Sequence, residues 1–165
     1  MKKNVAIVAG GDQSEVEVSL RSAAGLYSFI GNERYNLYLV TIIGKEWKVD
    51  CDGQKIDIDK NDFTFMKDGK KVKFDYAYIT IHGIPGEDGR LQGYFDLIGM
   101  PYSCCGVLAA ALTYNKFFCN HYMKSFGVNI AESVMLRKGD EVNVDEMVKK
   151  LGLPCFVKPN IGGSS

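Results

Sequence analysis

The side chains best suited to chemistry in this 165-residue chain are Glu15, His82, Lys116 and Lys158, together with a glycine-serine run at residues 162–165. Glu15 lies in what reads as the first turn of a helix. A carboxylate there either complements the positive end of the helix dipole, worth roughly 0.3–1 kcal/mol, or faces outward and pairs with a substrate ammonium. Glu17 is better explained by capping. His82 stands between an apolar run and a glycine. Its imidazole can donate to a bound carboxylate or phosphate, or be an ordinary packed, hydrogen-bonded histidine. Lys116 reads as a helix start and Lys158 as a strand end. From such places two ammonium groups can reach one anion and stabilise charge as a phosphoryl group transfers; the alternative is two ordinary surface lysines. Gly162-Gly163-Ser164-Ser165 can fold backbone amides over phosphates, or be a simple tail.

These groups need a frame that brings loops together. Residues 4–9 form a short apolar, β-branched run ending at Gly10-Gly11, which predicts a buried strand entering a tight turn. Ser14 with Glu17 three residues later has the form of a capping box, and Val18, Leu20, Ala23, Ala24, Tyr27 and Ile30 recur at helical spacing before Gly31 offers a stop. Tyr35–Ile43 reads as a second strand, giving a β-α-β unit. Residues 44–74 alternate polar and apolar around Asp52-Gly53 and Asp68-Gly69, which predicts two hairpins; their interleaved lysines and aspartates read as a solvated insertion on the sheet edge.

Residues 75–81 read as another strand, followed by the glycine-rich loop 82–89. Asp88 is placed to cap a helix whose buried face is Leu91, Tyr94, Phe95, Leu97 and Ile98, ended by Gly99 and Pro101. The first domain is expected to close near Ser103. Helices at about 107–112 and 114–126, a strand near 132–136, a helix started by Asn143 and Glu146, and a last strand at 155–158 complete the reading. Loop composition after that last strand reads as a chain cut before its later elements. In a doubly wound sheet, loops 10–17 and 82–89 would face one crevice at the carboxyl ends of the strands. Taken singly, each is a weak signal: neither completes a dinucleotide fingerprint or a P-loop.

Composition excludes several classes. Lys plus Arg and Asp plus Glu number 20 each, so no excess charge exists to draw a nucleic-acid backbone or an anionic membrane. Apolar runs are strand-sized and the first residues lack the core of a secretory signal, which predicts a cytoplasmic protein. Five cysteines, Cys51, Cys104, Cys105, Cys119 and Cys155, make an odd count without a C-x-x-C pair and are expected to be reduced. His82 and His121 have no zinc-type spacing, so no metal ligand set is read in the chain.

Together the segments resemble the D-alanine-D-alanine ligases. Val8-Ala9-Gly10-Gly11-x-x-Ser14-Glu15-x-Glu17-Val18-Ser19 is similar to that family's opening signature, and His82-Gly83-x-x-Gly86-Glu87-Asp88-Gly89-x-Leu91-Gln92-Gly93 to its second. Pro101-Tyr102-Ser103, residues 109–116, and Phe156-Val157-Lys158-Pro159 with Gly163-Ser164-Ser165 continue the match, which leaves out only residues 44–74. The resemblance implies an α/β fold: a parallel-sheet, Rossmann-like pre-ATP-grasp domain over residues 1–103, then the beginning of an ATP-grasp domain over 104–165.

It implies that Glu15 holds the ammonium of the first D-alanine, that Ser164 hydrogen-bonds with Glu15, that His82 lies near the substrate carboxylate, and that Lys116 and Lys158 contact ATP phosphates. ATP with Mg2+ or Mn2+ is the implied cofactor set, the metal ligands being expected after Ser165. The implied reaction joins two D-alanines through an acyl phosphate, for peptidoglycan precursors, in a homodimer; residues 1–165 alone are expected to be inactive. Cys104, Cys105 and Asn129 depart from the family pattern, which usually has small residues at the first two positions and often proline at the third. Sister ligases joining D-alanine to D-lactate or D-serine, another ATP-grasp carboxylate-amine ligase, and a stand-alone ligand-binding module are the alternatives.

Overall fold

Val5, Ala6, Ile7, Val8 and Ala9 point alternately to the two faces of one strand and are buried on both, as befits β1 (Lys3–Gly10), an interior strand of the main sheet. The computed structural model describes residues 2–12 and 14–162. β1 leads into α1 (Val16–Ile30), which ends where Gly31 turns to φ 65° and its amide meets the Tyr27 carbonyl. β2 (Tyr35–Ile43) returns parallel to β1, from Lys3 opposite Tyr35 to Gly10 opposite Ile42. The β-α-β unit is the one expected.

The start of α1 differs from the capping-box reading. Glu15, not Ser14, is the N-cap, at φ −94° and ψ 14°, and no side chain closes the cap. That backbone is outside the extended geometry from which a capping oxygen reaches the next turn. Ala23 is buried against the sheet with Leu26, Tyr27 and Ile30 beside it, whereas Val18 and Leu20 stay exposed.

Both Asp-Gly pairs make hairpin turns. β3 (Glu46–Cys51) and β4 (Gln54–Asp57) pair antiparallel around Asp52-Gly53, and β5 (Thr64–Lys67) and β6 (Lys70–Lys73) around Asp68-Gly69. All four turn residues have positive φ, the geometry of a two-residue turn that matches strand twist. β7 (Tyr76–Ile79), shorter than residues 75–81, pairs parallel with the other edge of β1. The order is β4-β3-β2-β1-β7, with β5-β6 as a separate two-stranded sheet.

The charges of residues 44–74 are solvated as expected, in the pairs Lys48–Asp57 and Lys67–Asp52 (2.7 Å each) and Lys71–Asp62 (2.9 Å). The segment is nevertheless more than a surface insertion. Val49, Cys51, Ile58, Phe63, Phe65 and Phe74 belong to the larger core, where the Phe63 ring lies 5.0 Å from Phe95, 5.3 Å from Phe74 and 6.1 Å from both Trp47 and Tyr94. These rings and α2 (Arg90–Leu97) cover one face of the sheet, and α1 covers the other.

In α2, Leu91 and Phe95 are buried and Tyr94 and Ile98 pack against the cluster, but Leu97 is 88% exposed, a correction to the expected face. Two residues beyond Phe95 is about 200° around a helix, so both cannot face the sheet. Gly89, in the left-handed conformation at φ 90°, is the N-cap, not Asp88; Asp88 instead accepts the Arg90 amide at 3.2 Å and pairs with Arg90 Nε at 3.0 Å.

By its contacts the chain divides into two compact units, Met1–Ala111 and Leu112–Ser165. α3 (Val107–Tyr114) begins in the first and ends in the second. The second holds α4 (Lys116–Ser125) and α5 (Val144–Leu151), whose N-cap Asn143 accepts the Glu146 amide at 3.2 Å, half of the expected capping box. Residues 132–136 and 155–158 are not strands, and Phe156 and Val157 are almost fully exposed. β-type composition supplies only a preference; a strand needs a neighbour to pair with, and among the described residues these segments have none. All five cysteines are free, and among the described residues no helix is long and apolar enough to cross a membrane.

Candidate functional site

β1 has β2 on one side and β7 on the other, both parallel to it, so the order of the strands reverses at β1 and the loops after β1 and β7 leave the same end of the sheet, the end at which such folds bind ligands. The first of these loops is built on glycine. Gly10 sits at φ 112°, and a Cβ there would run into the Ile42 carbonyl, so only glycine brings the chain this close to β2. The Gly10 amide donates to Ser19 Oγ at 3.0 Å, and Ser19 is fully buried on α1. The Gly11 amide donates to the Ile42 carbonyl at 2.8 Å. Between these anchors stands Glu15, half-buried, its carbonyl accepting the Ser19 amide at 3.0 Å. Its carboxylate makes no capping bond and lies at the positive end of the helix.

The second loop leaves β7 through Thr80, whose amide and hydroxyl both donate to the Val8 carbonyl at 2.8 and 3.0 Å. His82 follows, half-buried. The loop closes on itself: the Gly83 amide donates to Glu87 Oε2 and the Glu87 amide to the Gly83 carbonyl, both at 2.8 Å. Residues 101–103 run along the outer edge of β7, with Ser103 Oγ accepting the Ile79 amide at 2.9 Å.

Asp12 joins the two loops. Its amide donates to the Ile84 carbonyl at 2.9 Å, and its Oδ1 accepts the Gly44 amide at 2.6 Å, so the turns after β1, β2 and β7 are held at one end of the sheet. The expected neighbourhood of the Glu15 and His82 loops is therefore present. One loop carries a carboxylate, which can accept from an ammonium, and the other an imidazole, which can donate to a carboxylate.

Lys116 and Lys158 lie in the second unit. Lys116 opens α4, where Asn115 Oδ1 caps the helix by accepting the Phe118 amide at 3.0 Å. The Lys116 amide donates to the Asn160 carbonyl at 3.0 Å, the Phe117 amide to Asn160 Oδ1 at 2.9 Å, and Lys116 Nζ to the Gly162 carbonyl at 3.1 Å. The segment just after Lys158 is thus held against the start of α4, while Lys158 itself is exposed. A cation in the first turn opposes the helix dipole, so helix stability does not account for Lys116. Ser164 lies outside the described residues. Among those described, no group of three or more His, Cys, Asp or Glu side chains is placed to hold a metal ion.

Asp12 and Ser19, which fasten the loops of the first unit, and Asn160, which fastens the segment after Lys158 in the second, were named in the sequence only inside a motif or not at all. Ser19 had a local signal, being a small polar residue one helical turn beyond Glu15 on the face toward the strand. The bonds of Asp12 and Asn160 are between distant segments and leave no local trace.

Residues 4–105 match the family model described as D-ala D-ala ligase N-terminus. Over its whole length the chain is 65% identical to a D-alanine-D-alanine ligase of Bacteroides fragilis, of which it covers 51%. It thus spans about half the length of the curated relatives it matches. Among solved structures, the VanG D-Ala:D-Ser ligase from Enterococcus faecalis superposes with a TM-score of 0.81 at 27% identity, covering 100% of this chain and 54% of that one. A Bacillus anthracis D-alanine-D-alanine ligase complexed with ATP gives a TM-score of 0.71 at 26% identity, over 97% of this chain and 48% of that one.

Proposed function

The chain belongs to the D-ala D-ala ligase N-terminus family, and from that membership we propose that it is the front part of an ATP-dependent D-alanine-D-alanine ligase. The observation that carries this reading is the Asp12–Ile84 bond, which holds the two signature loops of Glu15 and His82 at one end of the sheet. Residues 1–103 are the substrate-binding pre-ATP-grasp domain in this reading, and residues 104–165 begin the ATP-grasp domain.

Glu15 pairs with the ammonium of the first D-alanine, with Ser164 hydrogen-bonding to it, and His82 donates toward that substrate's carboxylate. Lys116 and Lys158 hold phosphate oxygens of ATP, the role that best explains an ammonium at the start of a helix. A carboxylate oxygen of the first D-alanine attacks the γ-phosphorus and ADP leaves, giving an acyl phosphate. The amine of the second D-alanine attacks the acyl carbon and inorganic phosphate departs. Closure of the glycine-serine loop keeps water from the acyl phosphate. Magnesium or manganese belongs to the same reading, where it would neutralise phosphate oxygens of ATP. A cytoplasmic homodimer making peptidoglycan precursors completes the proposal.

The likeness to a D-Ala:D-Ser ligase favours a second reading, in which the same front part serves a ligase with D-serine as its second substrate. Phosphate release from ATP by the full-length protein carrying this chain tests both. D-alanine alone supporting turnover, with no response to L-alanine, is the expected result. Turnover only when D-serine or D-lactate accompanies D-alanine moves the assignment to the sister ligases, and release indifferent to D-alanine overturns the proposal.

A further inference from the structure

We propose that Gln92 is a positioning residue that sets His82 by holding loop 82–89 in shape. Gln92 is 1% exposed on α2, and its Nε2 lies 2.6 Å from the Gly86 carbonyl and 3.3 Å from Cys104 Sγ. The Gly86 carbonyl can only accept, so the nitrogen of the amide must face it. Oε1 is buried with no hydrogen-bond partner among the described residues. An amide that leaves its oxygen unsatisfied in the core is a poor way to fill volume, and an apolar side chain of that length would pack without the cost. What distinguishes glutamine here is the bond it donates.

That bond reaches His82 through a short path. A Cβ on Gly86 would stand 2.6 Å from both the Cβ and the carbonyl oxygen of Ile81, so the backbone at Gly86 lies directly against the residue that precedes His82. A shift of the Gly86 carbonyl therefore moves Ile81, and Ile81 moves His82. The loop's own closure, between Gly83 and Glu87, fixes its shape but not its seat on α2; the Leu91 amide to the Pro85 carbonyl (3.1 Å), Arg90 to Asp88 at the loop's end, and Gln92 to Gly86 supply that seat. Of these, only Gln92 to Gly86 is a bond from a core-buried side chain of α2 to the middle of the loop. The identity of what His82 meets rests on the ligase reading; the seating of the loop does not.

The test is Gln92→Met in the full-length protein, which keeps length and bulk and removes the donor, with Gln92→Asn, which draws the amide back by one methylene, as the second variant. Hydrogen exchange should show residues 82–89 losing protection while β1 and α1 keep theirs. The KM for D-alanine should rise about tenfold with the KM for ATP changed less than about twofold. Unchanged exchange in the loop, a uniform loss of protection, or KM values for both substrates moving together would overturn the proposal, as would failure of both variants to fold, which would make Gln92 a core residue only. If the unsubstituted protein shows no D-alanine-dependent phosphate release, the ligase reading fails instead, and the exchange measurement still decides whether Gln92 seats the loop.

Discussion

Gly10 donates its amide to the hydroxyl of Ser19 at 3.0 Å, across the turn that carries Glu15, and both residues are buried. The bond fastens the first turns of α1 to the end of β1 and so fixes where the Glu15 carboxylate projects. Ser19→Ala leaves that amide buried without an acceptor, which costs about 1–3 kcal/mol. Urea unfolding should show a lower midpoint with an unchanged slope. A midpoint equal to wild type would mean that another acceptor serves Gly10.

The aromatic core supplied by residues 63–74 makes a second expectation. Phe63 is fully buried among Trp47, Phe74, Tyr94 and Phe95, so Phe63→Ala removes a whole ring from a packed cluster and should cost about 3–5 kcal/mol. Leu97→Ala, at an 88% exposed position on α2, should stay within about 0.5 kcal/mol of wild type. Equal costs for the two, measured by urea unfolding, would contradict the placement of the 44–74 segment over the sheet.

Tyr94 gives a pH dependence. Burial, then the carboxylates of Asp62 and Asp59, push its phenol from the ordinary 10.0 up to about 12, while its hydroxyl donates to the Lys60 carbonyl at 2.9 Å. Below pH 10.0 the phenol is protonated in both folded and unfolded chains and its contribution is fully present. Above that value the unfolded chain ionises first, so stability falls as the pH rises toward about 12. Tyr94→Phe should flatten this part of the curve, although the shift of Tyr38 in the same direction leaves some slope. Unfolding free energies across that window that run parallel for the two proteins would show that Tyr94 does not titrate as placed.

How much of this was legible in the sequence depended on how local each determinant is. Tyr35–Ile43 and the two Asp-Gly turns were read to the residue, because strand composition and positive-φ turn chemistry act over a few neighbours. The role of Phe63, Phe65 and Phe74 was hidden, since they sit among lysines and aspartates that do lie in water and only the folded chain shows what the rings pack against. Residues 132–136 and 155–158 have strand composition without a partner, which composition cannot reveal. Glu15 and His82 were legible as candidates by type and motif. The joining of their two loops rests on Asp12 and Ile84, whose bond spans distant segments and has no periodic signature.

The two lysine and acid assignments can be separated by kinetics, because neither substitution should unfold its helix. Glu15 makes no capping bond, so Glu15→Gln gives up only the interaction of a carboxylate with the helix dipole, roughly 0.3–1 kcal/mol. Lys116 sits where a cation opposes that dipole, so Lys116→Met relieves an unfavourable charge while losing the bond to the Gly162 carbonyl. Losses of activity in the full-length protein therefore report on binding rather than on folding. A charge-assisted hydrogen bond is worth about 1.5–3 kcal/mol, or roughly 10- to 100-fold in an equilibrium. Glu15→Gln should raise the KM for D-alanine by that factor and leave the KM for ATP within about twofold, and Lys116→Met should do the reverse. If both variants raise the same KM, the acid and the ammonium serve one ligand, and the division of labour between the two units is wrong.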